Sequence, residues 1–140
     1  MERAIRFEID IAAPARDLWS VLTDAEKIPT WWEGLHAVKL TDPVPGGIYT
    51  LHYESGKPDT CEILQSEPGK LLRFRWQSSE PEPTQVEYRL EEIEGGTRLH
   101  FSNSGYGLDQ KWNKAFDANF SGWVNMMLGV RRLLEVAHRQ

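Results

Sequence analysis

The spacing of the strand-like segments constrains the fold of this chain more than any other feature of the sequence. Six such segments follow one another between positions 35 and 103, separated only by turn signals such as DPVPGG, SGKPD, SEPGK and a Gly-Gly pair. With an alternating segment near the N-terminus they give seven predicted strands, over 5–11, 35–40, 48–53, 60–64, 71–77, 85–90 and 97–103. Because intervals this short leave no room for crossover helices, consecutive strands are expected to pair antiparallel as a meander.

The last three predicted strands alternate between two kinds of side chain. One set of alternate positions carries Leu72, Phe74, Trp76, Val86, Tyr88, Leu90, Leu99, Phe101 and Asn103. The intervening positions are mostly charged, as at Arg73, Glu87 and Arg98. This alternation predicts a sheet with one buried and one solvated face, which needs a cover on one side only.

The C-terminal segment is predicted to be a long helix that provides this cover. Its apolar residues recur at steps of three and four, at Phe116, Phe120, Trp123, Met127, Val130 and Leu134. The same segment contains Gly122 and Gly129, which weaken a helix, and the adaptable Met126 and Met127. Two interpretations stay open. Either the glycines let the helix approach the sheet while the methionines fill gaps, or the helix is a wall that adjusts to a ligand.

Two short helices are predicted between the first and second strands. The first begins near Pro14 and includes the apolar pattern of the segment DLWSVL. The second runs from Thr23 or Asp24 towards the adjacent Trp31 and Trp32. Neighbouring helix positions point about 100° apart, so one indole is expected to pack against the core while the other points elsewhere.

Size and composition indicate a single domain over residues 1–140, of the α+β class. The net charge of −5 argues against a nucleic-acid partner, and the longest apolar runs are too short to span a membrane. The charged, alternating start MERAIRFEID lacks the features of a secretory signal. A cytoplasmic protein is therefore expected.

The sequence predicts neither a metal site nor a cofactor. The single cysteine, Cys61, excludes an internal disulfide and a multi-cysteine zinc site, and is best explained as a small core residue. The four histidines show no HxxxH or HxH spacing. Phosphate-loop, dinucleotide-binding and nucleophile-elbow motifs do not occur in the sequence.

Five stretches, in order along nearly the whole chain, resemble proteins similar to the activator of heat-shock protein 90 ATPase. They are IDIAAPARDLWSVLTDAEKIPTWW, PGGIYTL, EPGKLLRFRW, GGTRLHFSNSGY and SGWVNMMLGVRRLLE. The resemblance implies the helix-grip fold of the START-like (SRPBCC) superfamily, a curved seven-stranded antiparallel sheet wrapped around a long C-terminal helix, with two short helices after the first strand. The chain departs from the family in its longer acidic turn SEPEP and at Asn103, where members often have a histidine. No proton-transfer role is therefore carried over to Asn103.

The first of three functional hypotheses is binding of a small hydrophobic or amphipathic molecule in a cavity between the sheet and the C-terminal helix. The candidate ligand-binding residues are Trp32, Tyr49, Trp76, Tyr88, Phe101, Asn103, Phe120, Trp123 and Met127. Apolar walls would supply affinity, and the Tyr88 hydroxyl, the Asn103 amide or an indole N–H would orient the ligand. The resemblance places the two adjacent tryptophans at the opening, with Trp32 either at its lip or in ordinary packing, and Trp31 in packing or at the surface.

The second hypothesis is a cyclase- or aromatase-like enzyme that uses the same cavity. It needs an acid or a base, and the plausible groups are His52, His100, Glu62 and Asp59. Since both histidines oppose the inward positions of their strands, catalysis is the less favoured hypothesis. The third is a chaperone-associated protein-interaction module, whose marker would be a large exposed apolar patch. Either a monomer or a homodimer is expected.

Overall fold

Seven strands form one antiparallel sheet, as the spacing of the segments predicts. The structure is a computed structural model that describes residues 2–138. The strands are β1 (Arg3–Ile11), β2 (Leu35–Leu40), β3 (Ile48–Tyr53), β4 (Asp59–Glu67), β5 (Leu71–Trp76), β6 (Thr84–Ile93) and β7 (Gly96–Tyr106). Their order in space is β1-β7-β6-β5-β4-β3-β2, so β1 extends the meander beyond β7. The predicted fold class and helix-grip architecture are confirmed.

The register of the strands puts the predicted inward residues on one face. Tyr88 of β6 lies opposite Leu72 of β5 and Phe101 of β7, and all three are buried. The other face carries ion pairs, among them Arg73 with Glu87 at 2.8 Å. The sheet therefore has one buried and one solvated face.

A long helix, α2 (Asn113–His138), covers the buried face. The buried residues of its predicted apolar stripe are Trp123, Met127, Val130 and Leu134. Near its start, the Arg3 guanidinium lies 4.9 Å from the centre of the Phe116 ring. Near its end, the Glu135 carboxylate accepts a 3.1 Å hydrogen bond from the backbone N–H of Ala12. Residues at both ends of β1 thus hold the helix on the sheet.

Phe120 does not belong to the buried part of the stripe, contrary to the sequence prediction. Its side chain is 43% exposed, and its ring contacts that of Phe116. A residue three positions before Trp123 lies about 60° away from it around a helix, at the margin of the inner side. Phe120 is therefore a surface residue and not a wall of an internal cavity.

The two glycines of α2 are not explained by close packing. A Cβ atom built on Gly122 or on Gly129 meets nothing within 4 Å. The interpretation that these glycines let the helix approach the sheet is therefore wrong. Both lie on a flank of the helix that has room for larger side chains.

The chain between β1 and β2 contains one α-helix, α1 (Ala15–Thr23), and one 3-10 turn, Ile28–Thr30. The second predicted helix is thus reduced to a single turn. Its Pro29 has no N–H to donate, and Trp31 has already left helical geometry with φ −132°. We call residues Ile28–Trp32 the Trp corner.

Trp31 and Trp32 are both buried, each with 7% of its surface exposed. The prediction that one of them points away from the core is wrong, because neither residue is part of a regular helix. The chain then passes through Gly34, whose φ of +77° favours glycine, and enters β2.

Candidate functional site

A buried apolar cavity lies between the Trp corner, α1 and the sheet, and its volume is about 20 Å³. Its walls are Leu22, Ile28, Trp31, Trp32, Tyr49, Leu51, Cys61, Leu72, Phe74 and Tyr88. These residues come from α1, the Trp corner and strands β3 to β6. The cavity is therefore not where the sequence predicts it, between the sheet and the middle of the C-terminal helix, because none of its walls belongs to α2.

Tyr88 presents a hydroxyl without a hydrogen-bond partner to this cavity. The residue is only 1% exposed, and no hydrogen bond to its hydroxyl occurs among the described residues. Burial, reinforced by the nearby Cys61 and Tyr49, raises the pKa of Tyr88 well above its usual range. The other cavity hydroxyl, that of Tyr49, donates a 2.8 Å hydrogen bond to the backbone oxygen of Thr23. The Tyr88 hydroxyl is thus the one available to a bound molecule.

The ionisable groups of the cavity favour binding over proton transfer. They are the hydroxyls of Tyr49 and Tyr88 and the thiol of Cys61. Burial raises the pKa of Tyr49 to about 12, and burial together with the charge of Asp59 raises the pKa of Cys61 well above its usual range. All three groups keep their protons at neutral pH, so none of them is suited to act as a general base there.

The acids and bases considered for an enzyme lie outside the cavity. His100 is on the solvated face of the sheet, with Nε2 at 2.9 Å from Glu91. His52, Glu62 and Asp59 likewise do not line the cavity. The geometry therefore brings none of the predicted acid–base groups to this apolar space.

The Trp corner closes one side of the cavity and is joined to α1 by a side-chain hydrogen bond. The indole N–H of Trp31 donates to the backbone oxygen of Val21 at 2.8 Å. The centres of the Trp31 and Trp32 rings lie 5.6 Å apart. Both indoles thus form a wall of the cavity, and the role of Trp32 at the lip of an opening stays a prediction.

A cluster of aromatic rings packs behind Trp32 and Tyr88. The Trp32 ring lies edge to face with Trp76 at 6.3 Å and with Trp123 at 5.1 Å. Tyr88 and Phe101 lie 5.9 Å apart, and Phe101 is 4.7 Å from Trp123. Trp76, Phe101 and Trp123 therefore support the cavity walls from behind without being cavity walls themselves. They fill much of the space between the sheet and α2, where the sequence predicts a ligand.

Asn103 is fully buried, but its side chain is occupied by the protein. Its Nδ2 donates to the Thr84 hydroxyl at 3.0 Å and to the backbone oxygen of Gln85 at 2.9 Å. Its Oδ1 accepts a 2.6 Å hydrogen bond from the Tyr106 hydroxyl, which in turn accepts one of 2.8 Å from Asn119 on α2. Asn103 thus joins β6, β7 and α2, and the structure gives it no free group for orienting a ligand.

Among the nine predicted binding residues, Trp32, Tyr49 and Tyr88 line the cavity. Met127 is fully buried in the core and does not. The walls that the sequence prediction missed are Leu22, Ile28, Trp31, Leu51, Cys61, Leu72 and Phe74. The sequence contains a signal for three of them. Leu51 shares the inward alternation of Tyr49 along β3, and Leu72 and Phe74 belong to the predicted inward positions of β5.

Larger depressions are open on the outer surface, two of them with volumes of about 600 and 840 Å³. Both contain charged side chains that pair with each other. Arg73 and Glu87 pair at 2.8 Å in the first, and His100 and Glu91 at 2.9 Å in the second. We therefore take the buried apolar cavity, with its unpartnered hydroxyl, as the candidate site.

Within residues 2–138, no group of His, Cys, Asp and Glu is arranged to hold a metal ion, and no helix has the length and apolarity to cross a membrane.

Comparison with known proteins agrees with this architecture. The chain matches one family model, described as "Activator of Hsp90 ATPase homolog 1-like protein", over residues 12–134. A protein from Mesorhizobium loti is 23% identical, with a TM-score of 0.80, covering 95% of this chain and 97% of that one. The Aha1 dimer from Colwellia psychrerythraea is 18% identical, with a TM-score of 0.79, covering 96% of this chain and 97% of that one. CalU16 from Micromonospora echinospora is 23% identical, with a TM-score of 0.75, covering 94% of this chain and 74% of that one. No curated protein matches the sequence.

Proposed function

Because the chain belongs to the family of Activator of Hsp90 ATPase homolog 1-like proteins, with a buried apolar cavity in its helix-grip fold, we propose that it binds a small apolar or amphipathic molecule in that cavity. The Trp corner, α1 and strands β3 to β6 supply the apolar walls. The Tyr88 hydroxyl supplies the polar group that orients the ligand.

The observation that carries this proposal is the unpartnered hydroxyl of Tyr88. Among the described residues no fully buried side-chain nitrogen or oxygen lacks a partner, so this hydroxyl still borders open space, where its donor and acceptor are available to a bound molecule. A ligand that carries a hydrogen-bonding group pairs with the hydroxyl, whereas a purely apolar ligand covers it and leaves it unpaired, at a cost of roughly 1–3 kcal/mol. The cavity is therefore expected to prefer an aromatic or aliphatic molecule with one hydroxyl, carbonyl or amine group.

The size of the cavity adds a conformational step to the proposal. A volume of about 20 Å³ holds about one water molecule, whereas pockets for drug-sized ligands measure roughly 300–1,000 Å³. Binding therefore requires the Trp corner to move outward. The corner suits such a movement because it is a single 3-10 turn, although the hydrogen bond from Trp31 to Val21 must break when the indole moves outward.

Calorimetric titration with phenol and with toluene tests the proposal. The two molecules have similar shapes, but only phenol offers a partner to Tyr88. We expect saturable binding of both, with phenol on the order of tenfold tighter. The Tyr88→Phe variant is expected to lose this preference. Tyr49→Phe is the matched control, because its hydroxyl already donates to Thr23.

Two results would contradict the proposal. If the wild-type protein binds neither molecule, the cavity does not open to ligands. If Tyr88→Phe and the wild type distinguish phenol from toluene equally well, the Tyr88 hydroxyl does not orient the ligand. Mass spectrometry under native conditions, on protein purified from cells, complements the titration by measuring the mass of any molecule that stays bound.

Self-association is a second candidate activity, with a second copy of the chain as the partner. Leu133 and Val136 are 43% and 46% exposed on neighbouring turns of α2, and the related Colwellia protein is described as a dimer. Sedimentation velocity of the wild type and of Leu133→Glu tests this, with the exposed Arg132→Glu as a control for charge. A monomeric wild type at high micromolar concentration contradicts the proposal. The chaperone-associated interaction stays a prediction of the sequence resemblance.

A further inference from the structure

We propose that Asp59, together with Tyr53 and Trp76, binds the positively charged amine of an amphipathic ligand whose apolar part enters the cavity. This inference rests on the proposed binding function and specifies the chemical class of the ligand. The site lies beside the cavity, on the other side of Trp32.

The strand register places Asp59 next to two of the cavity walls. On β4, Asp59 lies two residues before the cavity residue Cys61, so the two side chains share one face of the sheet. Asp59 is also paired across the strands with Leu51, another cavity wall. An acidic residue therefore occupies the buried face of the sheet, at the margin of an apolar space.

Two neutral donors hold the Asp59 carboxylate through one of its oxygens. The Tyr53 hydroxyl donates to Oδ2 at 2.8 Å, and the Trp76 indole N–H donates to the same oxygen at 3.3 Å. No hydrogen bond to Oδ1 occurs among the described residues. The second oxygen is therefore available to a further donor.

The charge of Asp59 is not balanced by a cationic side chain. Within the described part of the chain, none of the ion pairs includes Asp59. The residue is only partly exposed, so water screens its charge incompletely. A half-buried carboxylate held by neutral donors, with one free oxygen and no counter-charge, is suited to a cationic partner from outside the protein.

Aromatic rings around Asp59 add to this preference. Trp76 is half-buried beside the carboxylate and lies edge to face with Trp32, which is itself a cavity wall. Burial, followed by the hydrogen bond to Asp59, raises the pKa of Tyr53 well above its usual range, so this neighbour carries no competing negative charge at neutral pH. Ammonium groups bind favourably next to indole and phenol faces. Trp32 thus connects an apolar cavity on one side with an acidic, aromatic site on the other.

An ordinary structural role makes a different prediction for Asp59. If the carboxylate only links Tyr53 to Trp76, an amide oxygen serves equally well as the acceptor and no ligand charge is preferred. The Asp59→Asn variant keeps the size of the side chain and one acceptor oxygen but removes the charge. It therefore separates a binding role from a purely structural one.

The experiment compares three ligands with the same phenylethyl skeleton, phenethylamine, phenethyl alcohol and 3-phenylpropionate. Calorimetric titration at neutral pH of the wild type is expected to give an affinity for the amine on the order of tenfold above that for the alcohol. The carboxylate ligand is expected to bind most weakly. Asp59→Asn is expected to bind amine and alcohol equally, while Glu54→Gln, which removes a neighbouring exposed charge, keeps the preference.

Equal binding of phenethylamine and phenethyl alcohol by the wild type overturns this inference but leaves the proposed function intact. An unchanged preference in Asp59→Asn also overturns it. If the wild type binds none of the three ligands and neither phenol nor toluene, the inference and the proposed function both fail. Because Asp59→Asn is compared with the wild type in the phenol titration as well, a general loss of folding in the variant is distinguished from a loss of charge recognition.

Discussion

The hydroxyl of Tyr106 donates a 2.6 Å hydrogen bond to Oδ1 of Asn103, and both side chains are completely buried. Replacing Asn103 with leucine leaves the Tyr106 hydroxyl without its acceptor and removes the donor to Thr84. We expect the Asn103→Leu variant to lose about 2–4 kcal/mol in free energy of unfolding, measured by urea denaturation. Ser102→Ala, on the same strand, is the control. A loss below about 0.5 kcal/mol would mean that the buried network is not important for stability.

Two tyrosine-to-phenylalanine variants are expected to differ in stability although both residues line the cavity. Tyr49→Phe removes a hydrogen bond to Thr23 and is expected to destabilise the fold by about 1 kcal/mol. Tyr88→Phe removes an unpartnered hydroxyl, so its free energy of unfolding is expected to stay the same or rise slightly. Chemical denaturation of both variants measures the difference. Equal destabilisation would show that the Tyr88 hydroxyl has a partner in solution, such as a bound water molecule.

The open space around the α2 glycines predicts a stabilising substitution. Gly129→Ala is expected to raise the free energy of unfolding by about 0.5–1 kcal/mol, because alanine favours the helix and its Cβ meets no atom within 4 Å. Gly34→Ala is the contrasting variant and is expected to destabilise, since the φ of Gly34 is +77°. Thermal unfolding measures both. A lower melting temperature for Gly129→Ala would indicate that something outside the monomer occupies this flank.

Substitution of Met127 tests whether space exists under the middle of α2. Met127 is fully buried and does not line the cavity, so Met127→Trp is expected to overpack the core. The expected cost is about 1–3 kcal/mol, visible as a melting temperature lower by several degrees. Phe120→Trp, at an exposed position of the same helix, is expected to have little effect. A Met127→Trp variant as stable as the wild type would indicate a second space that the core does not fill.

Alkaline pH is expected to destabilise the protein through its buried hydroxyls and thiol. Burial raises the pKa of Tyr49 to about 12 and that of Cys61 above its usual range. In the unfolded chain these groups lose their protons near their ordinary values of 10.0 and 9.0. The stability they contribute is therefore complete below about pH 9 and is lost as the pH rises towards 12, by up to about 1.4 kcal/mol per pH unit and group. Urea denaturation at a series of pH values from about 7 to 11 checks this, and a constant free energy of unfolding would contradict it.

Local sequence patterns predict the strands and their buried face, because apolar and charged residues alternate within each strand whichever strands pair with it. This alternation predicts that Tyr88 and Phe101 point inward, and the register confirms them as neighbours. The recurrence of apolar residues at steps of three and four predicts the buried stripe of α2 in the same way. Phe120 was the exception, since the width of the buried stripe depends on how the helix sits on the sheet.

The position of the cavity was not predictable from local patterns, because it depends on contacts between distant segments. Trp31 closes the cavity by bonding to Val21 across ten positions, and this bond requires the chain to leave the helix after Thr30. The sequence predicts a free Asn103 amide, because its partners lie at positions 84, 85 and 106, which alternation alone does not connect. Asp59 precedes the predicted strand 60–64, and its place on the buried face follows only from the longer β4 of the structure, Asp59–Glu67.

The edge-to-face arrangement of Trp32, Trp76 and Trp123 has a spectroscopic consequence. Their ring centres lie 5.1 to 6.3 Å apart, close enough for their electronic transitions to couple and for excitation to pass between them. Trp32 takes part in two of the three contacts, so an outward movement of this one ring leaves only the contact between Trp76 and Trp123. The near-ultraviolet circular dichroism and the fluorescence of the protein therefore report whether the Trp corner has moved outward, without any added label.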